Sequence, residues 1–102
     1  MKITVICRVE PGCLGPDGID HVDEFCLFAQ KEFDLLDTQI IDWKITPRTD
    51  KILDEIQYKL KGRFLSGNQA QLYLNALGRK KTDFEDILFS QLSQSVNNYF
   101  KR

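Results

Sequence analysis

The sequence of 102 residues is long enough for one small domain with a modest core, and nothing in it is typical of a linker between domains. Hydrophobic residues make up 42% and charged residues 28% of the chain, a composition that excludes an intrinsically disordered segment. The net charge of −1 conceals an acidic first half and a basic second half. A solvated surface is the simplest explanation of this asymmetry, and a basic surface for an acidic partner is the alternative.

The first residues do not form a typical secretion signal, because Arg8 interrupts the short apolar stretch that precedes it. No apolar run reaches the length of a membrane span. Three cysteines are an odd number and too few for a disulfide scaffold. We therefore expect a cytoplasmic protein with reduced thiols and no contact with a membrane.

The alternation of apolar and polar residues predicts a first strand over residues 2–9, which Pro11 ends. A helix follows from about residues 17–20 to about 36, since apolar residues recur there at steps of three and four. Leu35 and three further apolar residues widen its surface beyond one stripe, so the helix is either buried on two sides or offers a surface to a partner. These candidate interaction residues are Phe25, Leu27 and Phe28.

Residues 38–46 are predicted to form a second strand, placed either parallel or antiparallel to the first. Residues 50–61 fit a helix or a strand. The strand, over 55–61, is favoured because it gives Tyr58 an inward position, and we expect it to pair with the second strand across a loop at 47–54.

Two capping boxes mark the helices of the second half. Ser66 with Gln69 begins a short helix that Gly78 ends, and Thr82 with Glu85 begins the last helix. The apolar stripe of the last helix is expected to consist of Phe84, Leu88, Leu92, Val96 and Phe100.

Together these elements predict a single globular domain over residues 1–102, an α+β two-layer sandwich with the order β-α-β-β-α-α. A small three-stranded sheet has helices on one face and is open to water on the other. The open face is net positive and could meet phosphates, but Trp43 and Tyr58 point to the covered face, which disfavours stacking of bases. The basic-face candidates are Lys44, Lys59, Lys61 and Arg63.

The loop over residues 11–18 contains two prolines and three glycines, so we expect it to have one defined shape. It is either a rigid connection or an anion site at a helix start, although nearby carboxylates oppose an anion and the spacing fits no phosphate-binding fingerprint. The candidate residues of a loop site are Gly12, Cys13, Leu14, Gly15, Asp17, Asp20 and His21.

Cys13 is the one candidate for a catalytic residue, because a helix N-terminus can lower the pKa of a thiol. Cys7 and Cys26 lie on apolar faces and are expected in the core. The spacing of the cysteines and His21 matches no zinc motif, so no metal or other cofactor is predicted.

The absence of a catalytic constellation and the wide apolar surface of the first long helix favour a binding protein over an enzyme. We expect a module that binds another protein or associates with itself. The alternatives are a thiol-dependent enzyme or redox protein that uses Cys13, and a nucleic-acid-binding domain that uses the basic open face.

Overall fold

The computed structural model describes residues 2–37 and 39–102, so the predicted start of the second strand at Thr38 lies outside the described residues. A turn of 3-10 helix follows the first strand. The elements in chain order are β1 (Ile3–Val9), the 3-10 turn (Pro11–Leu14), α1 (Gly18–Phe33), β2 (Ile41–Pro47), β3 (Ile56–Leu60), β4 (Arg63–Phe64), α2 (Gly67–Ala76) and α3 (Lys81–Lys101).

The sheet has four strands in the order β2-β1-β3-β4. β1 is parallel to β2 and antiparallel to β3, and β3 forms a hairpin with β4. The α+β class and the strand at 56–60 are confirmed, whereas the prediction of three strands was wrong. A two-residue turn with positive φ at Lys61 and Gly62 joins β3 to β4. β4 was missed because two residues are too short to show an alternating pattern.

The predicted pairing of β3 with β2 was also wrong, because β3 pairs with β1 and places Tyr58 opposite Val5. The side chain of Gln30 on α1 occupies the outer edge of β2. Its Nε2 donates to the carbonyl oxygen of Trp43 at 2.8 Å, and its Oε1 accepts from the N–H of Ile45 at 2.8 Å. This amide satisfies backbone groups that another strand would use.

The core lies between one face of the sheet and the helices. Alternate residues of β1 are buried, and Phe84 of α3 stacks on Trp43 with ring centroids 5.8 Å apart. α1 is buried on two sides, since it packs on β2 and also contacts Tyr99 of α3 through Phe25 and Phe28. Among residues 2–37 and 39–102, no helix combines the length and the apolar character needed to cross a membrane.

The capping box of Ser66 and Gln69 is present as predicted, and Gly78 after α2 has a φ of 78°. The second predicted capping box was wrong. α3 begins at Lys81, and the carboxylate of Glu85 instead accepts a hydrogen bond of 2.8 Å from the hydroxyl of Tyr58 and pairs with Lys81 at 3.2 Å.

The apolar stripe predicted for α3 also needs correction at its end, where Ser95 and Tyr99 are buried while Phe100 is 51% exposed. Each step of four residues advances about 40° beyond a full turn of an α-helix. After four such steps, from Phe84 to Phe100, the direction has rotated almost to the opposite side of the helix.

Candidate interaction surface on the last helix

The loop before α1 is a packed connection. Leu14 at the end of the 3-10 turn is only 6% exposed and belongs to the core, so the expectation that it lies at a site in the loop has to be revised. A Cβ atom on Gly18 would lie 1.7 Å from the carbonyl oxygen of Pro11. The first residue of α1 must therefore be glycine for the helix to start against this turn.

The remaining candidate residues of the loop do not converge on one point. Cys13 is exposed, and Asp17 and Asp20 lie exposed at the start of α1. The Nδ1 atom of His21 is 3.3 Å from the hydroxyl of Tyr99, and its ring also contacts Phe100 edge-on. Gly12 has no atom within 4 Å of its Cβ position, and Gly15 takes a positive φ of 94°.

These contacts place His21 against α3 and supply no base for the thiol of Cys13. Within the part of the chain that the structure describes, no group of three His, Cys, Asp or Glu side chains is arranged to hold a metal ion. The candidate residues of the loop are therefore not grouped into one site among the described residues.

The two other cysteines are buried in the core as free thiols. Burial raises the pKa of Cys7 to about 12, with a smaller contribution from nearby Cys26, Glu55 and Cys13. Burial also raises the pKa of Cys26 to about 12, with a further effect of Asp23. Both side chains stay protonated and unreactive near neutral pH.

The predicted interaction residues on α1 fall into different environments. Phe25 is completely buried, so its proposed role at a surface has to be revised. Phe28 is partly buried against Tyr99, so α3 covers part of the expected excess of apolar surface. Leu27 is 71% exposed, but Glu24 and Lys31 on the same side of the helix are also exposed. A single exposed leucine among charged residues is ordinary.

The open face of the sheet carries Lys59 and Lys44, and Lys44 lies 3.8 Å from Asp42. The pairing of β3 with β4 sets Phe64 beside Lys59, whose Nζ lies 4.9 Å from the centre of the phenyl ring. Phe64 is thus an exposed aromatic residue on this face, and it was missed in the sequence together with β4. Lys61 lies in the turn, and Arg63 next to it is exposed.

Trp43 and Tyr58 are both buried on the covered face. Burial and the hydrogen bond to Glu85 raise the pKa of Tyr58 well above its ordinary value. The hydroxyl of Tyr58 is therefore a structural donor to Glu85 and is committed to that contact.

A surface without charged residues lies on α3, where no Asp, Glu, Lys or Arg occurs from position 87 to 98. Ile87 is 63% and Phe89 is 41% exposed, although both are large and apolar. We call the exposed side chains of this segment the charge-free surface. They are Ile87, Phe89, Ser90, Ser93, Gln94 and Asn97.

Two clefts flank the charge-free surface. The first has a volume of about 340 Å³ and an apolar floor of Phe33, Trp43 and Phe84, with Ile87 at its side. The second has a volume of about 430 Å³ and lies between β1 and α3, where Phe89 forms part of its wall. The surface is therefore a ridge with an apolar depression along each side.

The charged groups that border the clefts have partners within the molecule. Asp37 and Arg79 at the first cleft form an ion pair of 3.0 Å. At the second cleft, Glu10 pairs with Arg48 at 2.6 Å, and Nη1 of Arg8 donates to the carbonyl oxygen of Asp54 at 2.7 Å. Beside these partnered charges and the thiol of Cys13 at the second cleft, the ridge itself offers apolar groups and uncharged amides and hydroxyls.

This surface was not identified from the sequence, because only the apolar residues of α3 that were expected to face the core were considered. The signal was present as a run of residues without charge that continues to Phe100, in a chain that is 28% charged. An exposed helix of a small domain ordinarily carries charged residues on its outer side.

The arrangement can make apolar contacts and neutral hydrogen bonds, and the exposed thiol of Cys13 also lines the second cleft. In comparisons with known proteins, no family model matches the chain, and neither a curated protein nor a solved structure matches it.

Proposed function

We propose that this domain acts by binding a polypeptide through the charge-free surface of α3. The observation that carries the proposal is the combination, on one helix, of a run of uncharged residues with the exposed side chains of Ile87 and Phe89. The centres of protein interfaces are depleted in charged residues relative to the remaining surface. The charge-free surface, with its exposed apolar side chains beside two clefts, resembles the centre of a protein interface in this respect.

Burial of the two anchors would favour association. Full burial of an isoleucine or phenylalanine side chain contributes about 1.5–3 kcal/mol, and both are partly covered already. We therefore expect about 1 kcal/mol from each anchor. The outer serine, glutamine and asparagine side chains both donate and accept hydrogen bonds, so they can adapt to a partner without burying a charge.

Photo-crosslinking tests the proposal, because it captures a bound polypeptide of any identity. A photoreactive amino acid replaces Ser90 on the ridge, and the matched control carries it at Asn68, an exposed position of α2. We expect irradiation in the native host to give a discrete covalent adduct from position 90. The adduct is identified by mass spectrometry as another protein or as a second copy of this chain.

The control at position 68 should give only diffuse products at the same expression level. Equal patterns from the two positions would contradict the proposal, because the ridge would then be no more engaged than an arbitrary exposed site.

The position of Phe64 supports a second candidate function, the binding of single-stranded nucleic acid on the open face of the sheet. Phe64 is 55% exposed beside Lys59, and a stacking ring next to a cation is the pairing that such proteins use. Titration with a fluorescent oligonucleotide at low salt tests it. Affinity that falls with salt and with Phe64→Ala supports this function, and no binding at low salt excludes it.

A further inference from the structure

We infer that the polypeptide bound by the charge-free surface is a second copy of this chain, with the two α3 helices antiparallel across a twofold axis near Ser93. The inference rests on the proposed function and names its partner. Its support comes from the chemistry of the ridge, from the charges at the two ends of α3 and from the edges of the sheet.

The chemistry of the ridge is self-complementary. In a twofold interface the residues near the axis face their own copies, so a charged residue there would meet a like charge. Ser90, Ser93, Gln94 and Asn97 carry hydroxyl and amide groups, each of which donates and accepts hydrogen bonds. Such groups can pair with their own copies, whereas a partner chosen by opposite charge would find nothing on this surface to recognise.

The charges that bound the ridge select the direction of the second helix. Asp86 lies exposed just before the charge-free segment, and Lys101 lies exposed after it. Among the described residues, no salt bridge engages either side chain within the chain.

A twofold axis near Ser93 brings Asp86 of one copy to within about one turn of Lys101 of the second copy, because the two residues lie at nearly equal distances from the axis. The antiparallel pair then has an opposite charge at each end and opposed helix dipoles. A parallel pair would place Asp86 beside Asp86 and Lys101 beside Lys101.

The edges of the sheet are less suited to self-association. The amide of Gln30 occupies backbone groups of β2, and Pro47 at the end of that strand has no N–H to donate. At the other edge, β4 is only two residues long. The edges of the sheet therefore offer less to a second copy than the ridge of α3 does.

Sedimentation velocity of the purified full chain tests the inference. From about 1 µM to about 1 mM, we expect a reversible monomer–dimer equilibrium. Ser93→Glu and Ser93→Lys should each raise the dissociation constant at least about tenfold, since each places two like charges together at the axis. An equimolar mixture of the two variants should recover the wild-type affinity, because Glu then faces Lys.

Leu72→Glu is the matched control, since it adds a charge at an exposed position of α2 and should leave the equilibrium unchanged. Asp86→Lys and Lys101→Asp should each weaken the dimer, and the double exchange should restore it. Far-ultraviolet circular dichroism and thermal unfolding of every variant separate loss of association from loss of folding.

Three results would overturn the inference: a monomer at every concentration, a dimer that Ser93→Glu does not weaken, or a mixture of the two charged variants that stays monomeric. A monomer together with a crosslink from position 90 to a different protein would leave the proposed function intact and reject only the second copy as partner. No adduct from position 90 would reject both.

Discussion

The loop before α1 and the outer side of α3 differ in how far packing within the chain explains their residues, and this difference is not evident from their sequences. The loop has two prolines, three glycines and a cysteine within eight residues. This composition suggests a catalytic or ligand-binding loop. The outer side of α3 consists of serine, glutamine and asparagine around two apolar residues. The structure accounts for the loop through packing, whereas it leaves Ile87 and Phe89 on α3 partly exposed.

This contrast shows how differently the two kinds of residue constrain a fold. Glycine and proline restrict or permit particular backbone dihedral angles, and a buried leucine requires a place in the core. A loop rich in these residues can therefore be explained by the conformation that the fold requires of its backbone. Uncharged polar residues make few demands on a backbone. An exposed stretch of them with apolar neighbours is therefore the part of α3 for which we propose a contact outside the chain.

The largest effect is expected from Gly18→Ala. The new methyl group would lie 1.7 Å from the carbonyl oxygen of Pro11, so the start of α1 has to move. We expect the free energy of unfolding to fall by at least about 3 kcal/mol. Urea denaturation measures it, and Gly12→Ala is the control because its methyl group meets no atom within 4 Å. A loss below about 1 kcal/mol would mean that the loop is not a tight connection.

Leu14→Ala should have the next largest effect, because the side chain of Leu14 is buried among core residues. We expect a loss of about 2–4 kcal/mol in the free energy of unfolding. The neighbouring Cys13→Ala, at an exposed position, should cost less than about 0.5 kcal/mol. If the two substitutions had similar effects, Leu14 would belong to the surface of the loop and not to the core.

The buried thiols predict a loss of stability at alkaline pH. The pKa of Cys7 is about 12 in the folded protein against 9.0 for the free thiol, so the unfolded chain releases its proton first as the pH rises. The stability is complete below about pH 9 and declines between that value and the folded pKa, by up to about 1.4 kcal/mol per pH unit for each thiol.

Unfolding free energies measured across this pH range test the assignment. Cys7→Ala should reduce the slope, whereas Cys13→Ala should change the contribution of Cys7 only slightly, because burial is the main cause of its raised pKa and Cys13 is a minor one. In the native wild type, iodoacetamide should modify only Cys13, because the other two side chains are buried. Rapid alkylation of Cys7 in the folded protein would contradict its burial.

The smallest effect on stability is expected from Ser93→Glu, although the same substitution should weaken association strongly. Ser93 is exposed on the outer side of α3, so a charge there should change the unfolding free energy of the monomer by less than about 0.5 kcal/mol. Denaturation at a concentration where the chain is monomeric measures this quantity. A large loss would show that Ser93 supports the fold itself.

The sequence was sufficient for elements with strong local signals. The alternation in β1 and the capping box of Ser66 were predicted and are present. The strand around Tyr58, which was favoured over a helix although its local signal fitted both, is present as well. Each depends on a short-range preference that the tertiary structure does not override.

The sequence was insufficient where contacts between residues far apart in the chain determine strand pairing, helix ends or burial. The amide of Gln30 occupies the edge of β2 at which β3 was expected, and Glu85 accepts from Tyr58 where a helix cap was expected. Whether Phe25 is buried or lies at a surface was left open, because no local pattern indicates that α3 covers α1. The charge-free surface could have been noticed, but its exposure follows only from the packing of α3.

The most direct test of the contrast is photo-crosslinking from Gly12 in the loop and from Ser90 on the ridge, in two otherwise identical chains. Both positions accept a side chain that points into open space or solvent. We expect a discrete adduct from position 90 and none from position 12. An adduct from position 12 with none from position 90 would contradict the proposed role of α3 and return the site of function to the loop.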